Sequence, residues 1–138
     1  MKPHGAAAVV INMSGPCHCR PILVLIVEDE PLVRMMAVDM LEDAGLAVVA
    51  AATADEAWTI LESRNDIGVL FTDIDMPGSM DGCSLAARVA VHWPTIRLVL
   101  TSGCNFLSPS DVPDDGEFVA KPYFAQEVLR ALASAGGA

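Results

Sequence analysis

The sequence predicts an α/β fold: a (βα)5 three-layer sandwich around a five-stranded parallel sheet of order 2-1-3-4-5, with a fourth helix that is short or irregular. Three observations predict it. From Ile22 onward, compact apolar runs alternate with longer amphipathic stretches, the pattern of repeated βα units. Hydrophobic residues make up 53% of the chain and aromatics only 5%, so the core must come from Ala, Val, Leu, Ile and Met, which suits strands buried on both faces. The reactive polar residues stand at the ends of the apolar runs, where an open α/β sheet gathers its ligands.

Ile22 to Val27 reads as the first strand. Pro31 then starts a helix, where its missing N–H would be unpaired anyway, and Leu32, Met36, Val38 and Leu41 supply apolar positions as far as the stop at Gly45. Leu46 to Ala51 is the second strand; Thr53, with Glu56 three residues on, forms a capping-box pattern for a helix running toward Asn65. Ile67 to Thr72 is the third strand, ending in a loop whose Pro77 and Gly78 stop both strand and helix. A third helix covers about Gly82 to His92, Ile96 to Leu100 is the fourth strand, Phe118 to Ala120 the fifth, and Phe124 to Ala133 the last helix. Between the last two strands, Cys104 to Gly116 carries Pro109 and Pro113 among acidic residues, which leaves little regular helix there. Five such strands fit the flavodoxin-like sheet.

At 138 residues there is room for one domain, expected at 21–138 behind a disordered extension at 1–20. The net charge of -10, with eight scattered basic residues, excludes a nucleic-acid surface, which needs clustered Lys and Arg. No apolar run is long enough to span a membrane. Cys83 and Cys104 lie at unrelated positions within the domain, so reduced thiols in a cytoplasmic protein are expected. Cys17-His18-Cys19 has metal-binding residue types, but they are too close together to wrap a tetrahedral ion alone.

Glu28 and Asp29 follow the first strand, Asp73 ends the third, Thr101 ends the fourth and Lys121 ends the fifth, so all five converge on one edge. Three carboxylates brought together repel unless a cation sits among them or one is protonated. A hard cation suits oxygen ligands, and Mg²⁺ suits a site with few of them. A carboxylate can also attack phosphorus to give an acyl phosphate, and phosphoryl transfer needs charge neutralisation by groups such as a metal, an ammonium and a hydroxyl.

Val27-Glu28-Asp29-Glu30-Pro31, Thr72-Asp73-Ile74-Asp75-Met76-Pro77-Gly78 with Asp81-Gly82, Leu100-Thr101-Ser102-Gly103 and Phe118-Val119-Ala120-Lys121-Pro122 follow one another in this order. The set resembles bacterial two-component response-regulator receiver domains, from about Ile22 to the C-terminus, in a stand-alone form with a chemotaxis-receiver-like fold. The resemblance implies that Asp73 is the phosphoacceptor and that Glu28, Asp29, Asp73 and the backbone carbonyl of Asp75 hold Mg²⁺ or Mn²⁺. It implies that Lys121 pairs with the phosphoryl group, that Pro122 is cis-prone, that Thr101 is the switch hydroxyl and that Phe118 is the aromatic that turns inward. The donor would be a phosphohistidine on a sensor histidine kinase or histidine phosphotransfer protein, and the output a downstream protein target, with the domain a monomer or a phosphorylation-dependent dimer. Such a domain catalyses only its own phosphorylation and dephosphorylation.

Bland roles compete residue by residue. Glu28 and Asp29 also favour the start of the first helix, Asp73 can form a turn, and Phe118 is a semi-buried core residue in any case. His92 reads as a capping or surface residue. Asp75 departs from the common pattern: its carboxylate can hinder an incoming anion, tune dephosphorylation or point to solvent. Two other functions compete. One is a metal-dependent aspartyl-phosphate phosphohydrolase of a related α/β fold, which needs a substrate cap and a general acid, with Asp75 the evident acid. The other is a receiver that is never phosphorylated.

Overall fold

The computed structural model describes residues 23–76, 80–102, 116–121, 123 and 125–135. The extension at 1–20 with Cys17-His18-Cys19, the Pro77-Gly78 stop, Cys104 with the irregular stretch before Gly116, Pro122 and Phe124 lie outside these residues.

The described elements run β1 (Leu23–Val27), α1 (Pro31–Asp43), β2 (Ala47–Ala51), α2 (Ala54–Ser63), β3 (Ile67–Asp73), α3 (Gly82–His92), β4 (Arg97–Ser102), β5 (Glu117–Ala120) and α4 (Ala125–Ala135). All strand pairs are parallel and the order is β2-β1-β3-β4-β5, as expected for the flavodoxin-like sheet. Boundaries shift by one or two residues from the sequence expectation, most usefully at β3 and β4. These strands continue through Asp73 and through Thr101-Ser102, because Asp73 pairs with Thr101 in the ladder.

Alternation along the strands sends residues to two cores. Leu25, Val27, Leu70, Leu98 and Leu100 pack with Ala57 and Leu61 of α2 and Leu85 and Val89 of α3. Val24, Ile26, Val69, Phe71 and Val99 pack with Ala37 and Leu41 of α1 and Val128 and Ala131 of α4. Strand β1 is buried along its whole length, as required of a strand covered on both faces.

Helix ends follow from local chemistry. Pro31 opens α1, and after its last turn Gly45 takes a left-handed φ of 91°, which returns its N–H to the Glu42 carbonyl and that of Leu46 to Leu41. At α2 the Thr53 hydroxyl accepts from Glu56 N at 3.0 Å, while the Glu56 carboxylate reaches the N–H of Ala52 at 2.7 Å, one residue before the usual capping-box partner. Asp81 caps α3 through Ser84 N at 2.8 Å.

That cap seats α3 against the end of β3. Gly82 donates its N–H to the Ile74 carbonyl at 3.2 Å, and a Cβ at position 82 would overlap the Asp73 carbonyl oxygen and lie 2.7 Å from its carbon. The obstacle is backbone, so it cannot rotate away. Gly82→Ala should therefore destabilise the domain by at least about 2 kcal/mol in urea denaturation. A change within about 0.5 kcal/mol, ordinary for a surface position, would contradict this close approach.

Candidate functional site

The carboxyl ends of β1, β3, β4 and β5 bring the charged residues together. Glu28 continues from β1, with its N–H on the Ala51 carbonyl at 3.1 Å, and the residue is only 2% exposed. Its Oε1 accepts from Lys121 Nζ at 2.8 Å and its Oε2 from the N–H of Glu30 at 3.1 Å. Asp73, the last residue of β3, is 3% exposed, with Oδ2 at 3.3 Å from Lys121 Nζ and Oδ1 facing the N–H of Asp75 at 3.3 Å. Lys121 thus bridges two buried carboxylates. Asp29 is half-buried, and oxygens of Glu28, Asp29 and Asp73 lie within 4.8 Å of one another.

Backbone pairing fixes the neighbours. Ile74 N donates to the Thr101 carbonyl at 2.8 Å and Lys121 N to the Ser102 carbonyl at 2.9 Å, so the tails of β3 and β5 are both tied to the end of β4. Thr101 is buried, and its hydroxyl oxygen has no hydrogen-bond partner among the described residues. A buried polar group left unsatisfied costs about 1–3 kcal/mol.

The electrostatics are those of an under-neutralised cluster. Burial, and then the charge of Glu28, push the Asp73 carboxyl up to about 6, against the opposing pull of Lys121 and the Asp75 N–H. Burial works to lower Lys121, but its bond to Glu28 and the charges of Asp73 and Glu28 outweigh it, so the ammonium is held above its ordinary range. Tyr123, packed against Phe71, is raised first by burial and then by Glu28. Three carboxylates face one ammonium, and their convergent oxygens have the chemistry to hold a hard cation.

The structure therefore brings Glu28, Asp29, Asp73, Thr101 and Lys121 to one edge, as the sequence predicts. The Asp75 carboxylate is turned elsewhere: it accepts from Ser102 Oγ at 2.6 Å. Phe118 is partly buried against the α2/α3 core, paired in register with Leu100 beside Thr101. His92 is exposed at the end of α3, with Nδ1 3.0 Å from the Arg88 carbonyl and its ring edge-on to Trp58, in keeping with a surface role. Cys83 is half-buried.

Sequence reasoning missed three residues. Arg34 donates to the Glu28 carbonyl at 2.8 Å, one turn into α1, with no signal in the local pattern. Tyr123 follows Lys121-Pro122 closely enough to have been flagged. Ser102, directly after Thr101, was the more legible omission.

Residues 24–133 match the response regulator receiver domain family. The chain belongs to that family. It is 33% identical over 110 residues to the nitrogen assimilation regulatory protein NtrX of Azorhizobium caulinodans, covering 77% of this chain and 24% of that protein. It is 32% identical over 109 residues to the sensor kinase CckA of Brucella abortus, covering 76% of this chain and 11% of that protein. The chain thus spans a quarter or less of the length of these curated relatives. Among solved structures, a response regulator receiver protein from Sinorhizobium medicae superposes with a TM-score of 0.77 at 24% identity, over 85% of this chain and 95% of that one. The NtrX receiver domain from Brucella abortus gives 0.73 at 27% identity, over 83% and 98%. This is a receiver domain of two-component signalling, and no helix among the described residues is long and apolar enough to cross a membrane.

The raised Asp73 carboxyl has a stability consequence. Its pKa in the fold, about 6, exceeds the ordinary 3.8, so the unfolded chain gives up this proton first. Folding is then unpenalised below the unfolded value, and the penalty grows as pH rises through the folded value, reaching about 2–3 kcal/mol near neutrality. Asp73→Asn in chelator should be more stable than wild type at about pH 7.5 by roughly that amount, with the gain vanishing near pH 4 in thermal unfolding. An Asn variant no more stable at either pH would show that Asp73 is not held at a cost.

Proposed function

We propose that Asp73 accepts a phosphoryl group from a protein phosphohistidine, in a site completed by Mg²⁺ or Mn²⁺, and that the modified domain signals through protein contacts. The observation that carries the proposal is the Lys121 ammonium set between Glu28 and Asp73 within a cluster of three carboxylates. An Asp73 oxygen attacks phosphorus, a P–O bond forms as the P–N bond to the donor imidazole breaks, and the leaving imidazole takes up a proton. Glu28, Asp29, Asp73 and the Asp75 backbone carbonyl would hold the cation, which supplies charge neutralisation for the transferring oxygens. Lys121, already against Asp73, pairs with one of those oxygens.

The orphaned Thr101 hydroxyl fits the same function. It is a buried donor with no partner among the described residues, and a phosphoryl oxygen on neighbouring Asp73 would accept its bond. Its movement toward that oxygen, with Phe118 turning inward, is the two-state change that would alter the signalling face. A protein donor is supported by Leu32, Met35 and Met36, which are 64%, 55% and 60% exposed in the first two turns of α1, immediately after Asp29. A sensor histidine kinase or histidine phosphotransfer protein supplies such a partner. The phosphohydrolase alternative is not favoured: the chain matches the receiver family, and the carboxylate it would need as general acid, that of Asp75, is engaged by Ser102.

Incubation with Mg²⁺ and acetyl phosphate should add one phosphoryl group, seen by intact mass and mapped to Asp73. Asp73→Asn should remain unmodified, and Lys121→Ala should slow the reaction by about a hundredfold, as for loss of one charge-stabilising donor. Full modification of the Asn variant, or many turnovers on a generic phosphate ester, would overturn the proposal.

A further inference from the structure

A short bond at the rim of the site joins two side chains that the phosphoacceptor role does not use. Ser102 Oγ donates to Asp75 Oδ2 at 2.6 Å across a sequence separation of 27 residues, within the range of a charge-assisted O–H···O⁻ bond. The hydroxyl end is rigidly placed. Ser102 is the last residue of β4, pairs with Ala120, accepts from Lys121 N at 2.9 Å through its carbonyl and is 2% exposed. The carboxylate end lies at the surface. Asp75 is exposed, in the loop after β3, with its N–H directed at Asp73 Oδ1. Its backbone therefore sits against Asp73, while its carboxylate meets the Ser102 hydroxyl at the exposed rim. Glu28, Asp29 and Asp73 already outnumber Lys121, and a further carboxylate turned toward them would bind the cation in place of a phosphoryl oxygen and repel the incoming anion.

We infer that Ser102 is a positioning residue, whose hydroxyl holds the Asp75 carboxylate on the β4 side of the rim and keeps it out of the cation's coordination shell and the path of the phosphoryl group. The inference rests on the cation and acceptor roles proposed above. It separates two functions within one residue: the Asp75 backbone serves the site while its side chain is kept away. Because a serine has one O–H, donation to Asp75 commits it to that task.

The test is a double-mutant cycle on the whole chain, with Mg²⁺ affinity measured by calorimetry without a phosphodonor and phosphorylation rate measured with acetyl phosphate at saturating Mg²⁺. Ser102→Ala should tighten Mg²⁺ binding by about threefold to tenfold and slow phosphorylation by a similar factor. Ser102→Thr, which keeps the hydroxyl, should resemble wild type. Asp75→Asn should cancel both effects in the Ala background. A loss of packing at Ser102 would persist in the Asn background, so persistence there overturns the inference. So does a Ser102→Ala protein that matches wild type in both measurements while wild type binds Mg²⁺. If wild type itself fails to bind Mg²⁺, the cation role fails and takes this inference with it.

Discussion

One ammonium between two buried carboxylates is the contact on which the site depends. Lys121 reaches Glu28 at 2.8 Å and Asp73 at 3.3 Å, and without it two acids that are 2% and 3% exposed would face each other in a medium that screens poorly. The compensation is incomplete. Asp73 remains pushed up toward protonation, Asp29 adds a third charge, and the Thr101 hydroxyl has no partner among the described residues. A site that is under-neutralised and under-bonded in these ways is poised for the two things it lacks, positive charge and an acceptor oxygen.

The fold provides that poise through backbone geometry. Each contributor arrives at the end of a parallel strand, and the register of Asp73 with Thr101 and of Ser102 with Ala120, next to Lys121, sets them side by side. The apolar strands buy the burial, and the loops carry the charges. Gly82 presses the start of α3 onto the Asp73 peptide so closely that no side chain fits, which fixes the Asp73 backbone from behind. Arg34 does the corresponding work at β1 by holding the carbonyl of Glu28. Coupling from Asp73 to a surface would run through the end of β4, which receives hydrogen bonds from Ile74 and Lys121 and carries both Thr101 and Ser102.

Much of this was legible in the sequence because two periodicities and a few strong punctuators encode it. Apolar runs gave the strands, Pro31, Thr53 and Gly45 gave helix ends, and carboxylates and a lysine at strand ends gave the converging edge. The strand limits at Asp73 and Ser102 were not legible, since a polar residue paired in a ladder looks the same in sequence as one that starts a loop. The partners of single side chains were also hidden. Nothing in the local pattern says that Asp75 turns to Ser102, because that contact joins residues 27 apart and depends on how the β3 loop settles against β4. The reach of Arg34 back to Glu28 is similarly a product of where α1 begins relative to β1. Gly82 read as a helix start, but its proximity to Asp73 is a tertiary fact.

A cation would relieve the repulsion within the carboxylate cluster. Thermal unfolding at about pH 7.5, with and without Mg²⁺ and with no phosphodonor, tests it most directly. The melting temperature of wild type should rise saturably, by roughly 5–10 °C at a large excess over Kd, and Asp29→Asn should lose most of that rise. An unchanged melting temperature, or an equal rise in Asp29→Asn, would contradict the account.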